Sequence, residues 1–137
     1  MAEAHRTPSG GPAIDDPATL AEVTAAFHAH EAALLSHDAA VLDAMFLPAA
    51  HTLRYGVAEP QYGIDEVRAW RATQAPFERS LSRTVITTLG RDVALASTLF
   101  HRPDLPGQTG RQQQTWMRTA AVWQVAAAHV SMMPDPA

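Results

Sequence analysis

Two polar residues stand where the surrounding sequence predicts apolar side chains, and both have side chains suited to catalysis. His30 lies on the apolar stripe of a predicted helix, in line with Val23 and Phe27. An imidazole with a pKa of about 6.5 exchanges protons at neutral pH, so His30 is a candidate acid or base. The position equally suits a buried neutral histidine bonded to a backbone or carboxylate oxygen, and the sequence leaves both interpretations open.

Arg54 is the second such residue. It lies in a short predicted strand, His51–Tyr55, in which alternate residues face opposite sides. If Leu53 and Tyr55 pack outward, the Arg54 side chain points into the fold. A buried guanidinium needs an anionic partner, so Arg54 is expected either to hold a bound anion or to form a salt bridge at a sheet edge. His30 and Arg54 are the candidate catalytic residues.

Other polar and aromatic residues are candidates for binding a small ligand. Arg71 lies on the apolar stripe of the third predicted helix, where its stem also suits simple packing, as does the neighbouring Trp70. Gln112 and Gln114 share one face of a late strand with Trp116, which suits either a neutral, hydrogen-bonding ligand or a solvated dimer surface. In the last strand a polar face is shared by His129 and Ser131.

Composition excludes several kinds of chemistry. The 137 residues include no cysteine, and all ten cationic side chains are arginine. Thiol nucleophiles, thiolate metal sites and Schiff-base lysines are therefore excluded. His28 and His30 would lie about 200° apart on a helix, so they do not form a metal-binding pair. The sequence has no G-x-S-x-G, H-E-x-x-H or G-x-G-x-x-G motif, and we expect neither a metal nor another cofactor.

Charge and hydropathy narrow the range of binding partners that we expect. The formal net charge is −4, which argues against binding along nucleic-acid phosphates. No apolar run approaches the roughly 20 residues that span a membrane, and the first residues lack the apolar core of a signal peptide. We expect a cytoplasmic protein that binds a small molecule and neither nucleic acid nor a membrane.

The candidate residues must be positioned by helices and strands whose order predicts an α+β fold. Asp16 followed by Pro17 predicts a helix start. We expect a flexible tail over residues 1–15, one domain over 16–133 and a short tail over 134–137. The predicted helices cover residues 17–37, 38–46 and 64–74; the predicted strands cover 51–55, a short piece within 59–63, 80–89, 93–101, 111–119 and 122–132.

The same element order, together with several short segments, resembles the nuclear transport factor 2-like, or SnoaL-like, superfamily. The closer resemblance is to its AtzH-like branch, which includes oxalurate-catabolism-associated proteins. The segments that carry it, between about residues 20 and 133, are Thr52–Gly56, Tyr62–Gly63, Ile64–Arg71, Ser82–Val85, Gly110–Trp116 and Ala128–Ser131.

This resemblance implies a cystatin-like cone, in which three N-terminal helices pack on a curved, mostly antiparallel sheet and leave a pocket. It also implies a homodimer or a higher homo-oligomer, and an activity such as decarboxylating amide hydrolysis of 1,3-dicarboxyurea to allophanate. In that branch a tyrosine on the first helix and an arginine on the first strand form the working pair. The arginine corresponds to Arg54, but His30 stands at the tyrosine position. Gln74 replaces a second arginine three residues after Arg71.

Three functions remain open at this stage. The leading one is a cofactor-free enzyme for a small carboxylated nitrogen compound, in which Arg54 and Arg71 hold anionic oxygens and His30 moves a proton. The second is a SnoaL-like cyclase, isomerase or dehydratase using histidine acid–base chemistry. The third is a non-catalytic binding or assembly subunit. The candidate substrate-binding residues are Tyr62, Trp70, Arg71, Gln114, Trp116, His129 and Ser131.

Overall fold

A computed structural model describes residues 5–6 and 10–136, which form eight strands and three helices. The elements in chain order are β1 (His5–Arg6), β2 (Ala13–Ile14), α1 (Pro17–Leu35), α2 (Ala39–Ala44), β3 (Leu53–Tyr55), β4 (Pro60–Tyr62), α3 (Ile64–Arg71), β5 (Ser80–Leu89), β6 (Val93–His101), β7 (Gln108–Thr119) and β8 (Val122–Pro134).

All of the strands join one curved sheet, in the order β1-β2-β5-β6-β7-β8-β3-β4. Neighbouring strands are antiparallel except β3 and β8, which pair in parallel. The sheet is therefore mixed, which refines the mostly antiparallel sheet that we expected. As predicted, β3 and β4 precede α3 in the chain.

Helix α1 covers the inner face of the sheet. It begins where predicted, because the Asp16 carboxylate accepts hydrogen bonds from the backbone N–H of Thr19 (3.1 Å) and from its hydroxyl (2.8 Å). It ends at Leu35, two residues earlier than predicted, and His37 then takes a positive φ of 55°. Such a left-handed residue commonly ends a helix. The stripe that includes Val23, Phe27 and His30 faces the sheet and is buried.

The apolar core lies at one end of this sheet. Ala94, Trp116 and Val125 are register partners on β6, β7 and β8, and all three are fully buried. Val23 and Phe27 pack against this cluster from α1. Toward the opposite ends of the same strands, polar residues such as Gln112 and Gln114 replace the apolar ones on the inner face. A cavity therefore lies beside the core, over the other half of the sheet.

A bulge in β8 changes which side chains face inward. Thr115 pairs with Ala127 and Trp116 pairs with Val125, so β8 contains one extra residue, Ala126. An extra residue reverses the alternation of faces beyond it. Val125 and Ala128 consequently both face the interior, although strict alternation would place them on opposite sides.

Both predicted tails include ordered residues. Ile14 of β2 pairs with Leu89, and the Asp15 carboxylate accepts hydrogen bonds from the backbone N–H of Thr88 (3.0 Å) and the hydroxyl of Thr87 (2.9 Å). Near the other end, β8 extends to Pro134 and the Asp135 N–H donates to the carbonyl oxygen of Gly107 at 2.9 Å. The other predicted tail residues, 1–4, 7–9 and 137, lie outside the described residues.

In the described part of the chain, none of the three helices combines the length and the apolar character needed to cross a membrane.

Candidate functional site

A cavity of about 650 Å³ opens between the inner face of the sheet and the helices. All three helices contribute to its wall, together with β3, β6, β7, β8 and the segment between α3 and β5. Its apolar surface includes Leu34, Phe46, Phe77, Phe100, Val130 and Met132, and its polar side chains include His30, Arg54, Arg71, Arg79, Gln112 and Gln114.

His30 reaches this cavity from α1. Its ring packs edge-on against Trp116, with 5.9 Å between centroids, and lies 6.1 Å from the ring of Phe46. Its Nε2 is buried, with no hydrogen-bond partner among residues 10–136. Burial, together with the positive charges of Arg71 and Arg79, lowers the pKa of His30 from 6.5 to about 3. The imidazole is therefore neutral at physiological pH.

Arg71 lies beside His30 on α3 and is only 5% exposed. Its Nε donates to Oδ1 of Asp43 at 2.8 Å, and its guanidinium lies 5.0 Å from the Phe46 ring centre. Burial lowers the pKa of Arg71, and the hydrogen bond to Asp43 opposes that effect, so the guanidinium stays charged. Its Nη2 is buried and has no acceptor among the described residues.

Arg54 points inward from β3, where its side chain is 12% exposed. Its Nη1 donates to Oε1 of Gln61 at 2.8 Å and to Oε1 of Glu59 at 3.1 Å. The flat face of the guanidinium lies 3.5 Å from the ring centre of Trp70, a close cation–π contact. Trp70 therefore borders the cavity and also fixes the position of Arg54.

Gln114 and Trp116 occupy successive inward positions on β7. The indole Nε1 of Trp116 donates to Oε1 of Gln114 at 3.0 Å. Trp116 is fully buried in the core and does not line the cavity, so its predicted place among ligand-contacting residues is wrong. It supports the site indirectly, because it packs on His30 and orients the Gln114 amide.

A second polar cluster consists of Glu31, Arg79 and Gln112; sequence reasoning considered Gln112 but missed Glu31 and Arg79. Arg79 donates to both carboxylate oxygens of Glu31, at 2.9 and 2.6 Å, and its Nη2 also donates to Oε1 of Gln112 at 3.0 Å. A signal for Glu31 was present, since it follows Phe27 by four residues on the same buried stripe. Arg79 gives no such signal, because it lies just before β5 in a segment without periodicity.

Three predicted ligand-binding residues lie away from the cavity, on the outer face of the sheet. Tyr62 is 57% exposed and stacks edge-on against Tyr55. His129 contacts the same tyrosine ring, and the hydroxyl of Ser131 accepts a hydrogen bond from Nε of Arg111 at 3.1 Å. The β8 bulge explains the error for His129 and Ser131, because it turns Ala128 and Val130 toward the cavity instead.

The arrangement of the cavity suits an anionic or acceptor-rich ligand. Arginine and glutamine nitrogens supply hydrogen-bond donors, whereas His30 is neutral and can either donate or accept. Within the described residues, no three histidine, aspartate or glutamate side chains lie close enough together to hold a metal ion. Polar and charged groups that are buried without partners are uncommon in folded proteins, and a bound ligand is one way to satisfy them.

Solved structures with the same architecture belong to the nuclear transport factor 2-like and cystatin-like folds. A protein of unknown function from Pectobacterium atrosepticum is 44% identical, covering 93% of this chain and 98% of its own, with a TM-score of 0.86. A cystatin-like fold protein from Burkholderia xenovorans is 42% identical, covering 90% and 98%, also with a TM-score of 0.86. A nuclear transport factor 2-like protein of unknown function from Pseudomonas putida shares the fold at 18% identity, covering 83% and 86%, with a TM-score of 0.69.

The family model that matches the chain is AtzH-like, over residues 12–136. The chain therefore belongs to the AtzH-like family, and the resemblance inferred from its short segments is confirmed. No curated protein matches the chain.

Proposed function

We propose that the protein is a cofactor-free enzyme that binds a small carboxylated nitrogen compound in the cavity and removes a carboxylate from nitrogen. One observation carries the proposal. Three buried polar atoms without partners among the described residues belong to side chains that line this cavity: Nε2 of His30, Nη2 of Arg71 and Nε2 of Gln112. Leaving such groups unsatisfied is unfavourable, so a ligand with several acceptor oxygens gains binding energy from them.

The proposed reaction is the one that the AtzH-like resemblance implies, the conversion of 1,3-dicarboxyurea to allophanate. The bond between one nitrogen and its carboxylate carbon breaks, and the electron pair stays on nitrogen. CO₂ leaves and the nitrogen takes up one proton. Negative charge spreads onto the neighbouring carbonyl oxygen as the bond breaks, so preorganised donors at that oxygen lower the barrier. Arg54 and Arg71, which both line the cavity, would supply such donors or hold the remaining carboxylate.

His30 is the proposed proton-transfer residue, at the position where the branch has tyrosine. A neutral imidazole is too weak an acid to protonate the substrate, so the bound substrate must first raise the pKa of His30. A carboxylate beside the ring has this effect, because it stabilises the imidazolium form and offsets the charges of Arg71 and Arg79. Gln114 would hydrogen-bond the rest of the substrate through its amide nitrogen.

The proposal is tested by Arg54→Met and His30→Phe, singly and together. Arg68→Met and His28→Phe make the same changes at exposed positions on α3 and α1 and serve as controls. Freshly generated 1,3-dicarboxyurea is followed by ¹³C NMR for loss of CO₂ and appearance of allophanate. Turnover should fall strongly in the test variants and not in the controls. A folded double variant with unchanged turnover would end the proposal, and binding without any product would favour a non-catalytic binding subunit.

A second function, acid–base isomerisation, cyclisation or dehydration, is favoured by the size of the cavity. Its volume of about 650 Å³ exceeds what a compound of about ten heavy atoms fills, and aromatic and aliphatic side chains line much of it. A larger, partly apolar substrate would use Phe77, Phe100 and Met132 as well as the polar groups. The two functions are distinguished by thermal shift with glutarate and with a panel of larger apolar carboxylates. Greater stabilisation by the larger compounds favours the second function, and greater stabilisation by glutarate favours the first.

We also propose that two copies associate through the outer face of the sheet. Register partners form a row across that face, and the row contains Val85, Ser97, Gln113, His129 and Tyr55. Val85 is 61% exposed, which is unusual for a valine in a central part of a long strand. Val85→Glu should convert a dimer to a monomer in light scattering, whereas Val122→Glu, at the β7–β8 turn, should not. A monomeric wild-type protein would contradict this proposal.

A further inference from the structure

Gln112 is fixed in one orientation by a chain of hydrogen bonds that begins on α1. Glu31 accepts two hydrogen bonds from Arg79, and Arg79 in turn donates to Oε1 of Gln112 at 3.0 Å. The side chains of Arg79 and Glu31 are 3% and 12% exposed, and Gln112 is 7% exposed. The cluster is therefore held away from bulk water, on the side of the sheet that α1 covers.

The orientation of this amide follows from the chemistry of its partner. A guanidinium has only donors, so the Gln112 oxygen must face Arg79 and the NH₂ group must face away. Turning the amide over would place the NH₂ group against the guanidinium and leave the amide oxygen without a donor. The Gln112 nitrogen is buried, and no acceptor lies within hydrogen-bond distance of it among residues 10–136. Glu31 and Arg79 thus leave a fixed donor with nothing to donate to, on a side chain that lines the cavity.

Gln114 shows the same arrangement one inward position along β7, about 7 Å away. Its oxygen is occupied by the indole N–H of Trp116, which is also only a donor, so its amide nitrogen is the group left for a ligand. Both glutamines line the cavity and use their oxygens within the protein, so their amide nitrogens are the groups left for a ligand. A wall of this kind accepts carbonyl or carboxylate oxygens and rejects groups that carry N–H in the same place.

We propose that Gln112 is a specificity-determining residue that donates to an acceptor oxygen of the ligand, with Arg79 and Glu31 as its positioning residues. This inference rests on the proposed function, because it assumes that the same anionic compound is also bound by the guanidinium of Arg71. It adds a second recognition point, on β7, to the one that Arg71 supplies from α3. A ligand with an amide NH₂ where a carboxylate oxygen should meet Gln112 loses that hydrogen bond and opposes two donors.

The test compares glutarate with its half-amide, glutaramate, by isothermal titration calorimetry on the full chain. Glutarate has the same chain length as 1,3-dicarboxyurea and is stable. We expect the wild type to prefer glutarate by about tenfold or more, the usual effect of a hydrogen bond to a charged group. In Gln112→Glu the new carboxylate still accepts from Arg79 but presents an acceptor to the cavity, so the preference should reverse in favour of glutaramate.

Two further variants keep the test decisive. Gln112→Met has no polar group to offer and stays neutral, so the preference should shrink toward parity, whereas a preference caused by ligand charge alone would survive. Gln113→Glu introduces the same charge on the outer face of β7, where Gln113 donates to Ser97, and should keep the wild-type preference. If both Gln112 variants keep that preference while Arg71→Met weakens binding by about tenfold or more, the inference is overturned and the proposed function stands. If the wild type binds neither compound, the proposed function fails, and this inference fails with it.

Arg79→Met separates positioning from direct contact. Without the guanidinium the Gln112 amide is free to turn over, so it offers either its oxygen or its nitrogen to the ligand. Binding of both compounds should persist with little preference between them, a change in selectivity that simple loosening of the fold does not produce. Retention of the full wild-type preference in this variant would show that Arg79 does not position Gln112.

Discussion

His30 should contribute a distinct pH dependence to the stability of the protein. In the folded chain its pKa is lowered to about 3 by burial and by Arg71 and Arg79, whereas an unfolded chain restores a value of about 6.5. Between these values the unfolded state binds one more proton at His30 than the folded state does. Stability from this residue is therefore fully present above about pH 6.5 and is lost as the pH falls toward 3.

The size of the effect follows from this difference. One extra proton bound by the unfolded state reduces the free energy of unfolding by about 1.4 kcal/mol per pH unit. From pH 6 to pH 4, His30 should account for a loss of about 2.5 kcal/mol. Carboxylates titrate in part of the same range, but they do so equally in a variant that lacks the imidazole. The difference between the two proteins isolates His30.

The assay is urea denaturation followed by tryptophan fluorescence at pH 4, 5 and 6, at one protein concentration. His30→Phe keeps an aromatic ring between Phe46 and Trp116 and should show a shallower pH dependence than the wild type by about 2.5 kcal/mol over this range. His28→Phe, at an exposed position of the same helix, should behave like the wild type. Parallel curves for the wild type and His30→Phe would refute the argument, since His30 would then keep an ordinary pKa in the folded protein.

Three other predictions follow from the packing around the cavity. Removing either partner of the buried Glu31–Arg79 pair should lower the free energy of unfolding by about 3–5 kcal/mol. The double variant should lose less than the sum of the two single losses, which a double-mutant cycle in urea measures. Additive losses would contradict this prediction. Gly110→Ala should destabilise the fold by about 1–3 kcal/mol, because a Cβ there would overlap the ring of Phe100. Adding Phe100→Leu should relieve part of that cost in the same urea assay. An unchanged stability of Gly110→Ala would contradict this prediction. His129→Ala should leave the affinity for glutarate unchanged in calorimetry, since its ring lies on the outer face, and a clear loss of affinity would place it in the site after all.

Much of the fold was predictable because it depends on local signals. The Asp16 cap defined the start of α1, and alternation together with the Gly90 turn gave the bounds of β5 and β6 correctly. The same alternation along β3 correctly predicted that the Arg54 side chain points inward. The parallel pairing of β3 with β8 was not predictable, because the pairing joins segments far apart in the chain and no local pattern records it.

The site was only partly predictable, for two physical reasons. Strict alternation placed His129 and Ser131 inside, and a single extra residue at Ala126 reversed the faces. Bulges of this kind have no simple sequence signal in a run of alanines. The other reason is that Glu31 and Arg79 become a pair only through tertiary packing. His30 broke the apolar stripe visibly, whereas Arg79 broke no pattern at all.

The most direct test of the account is whether an anion binds at the free nitrogen of Arg71. Glutarate should bind the wild-type protein in isothermal titration calorimetry, and Arg71→Met should weaken that binding by about tenfold or more. Arg68→Met, at an exposed position of the same helix, should leave the affinity unchanged. Equal affinities in a folded Arg71→Met variant and the wild type would contradict the central claim that the cavity recognises a carboxylate through this buried guanidinium.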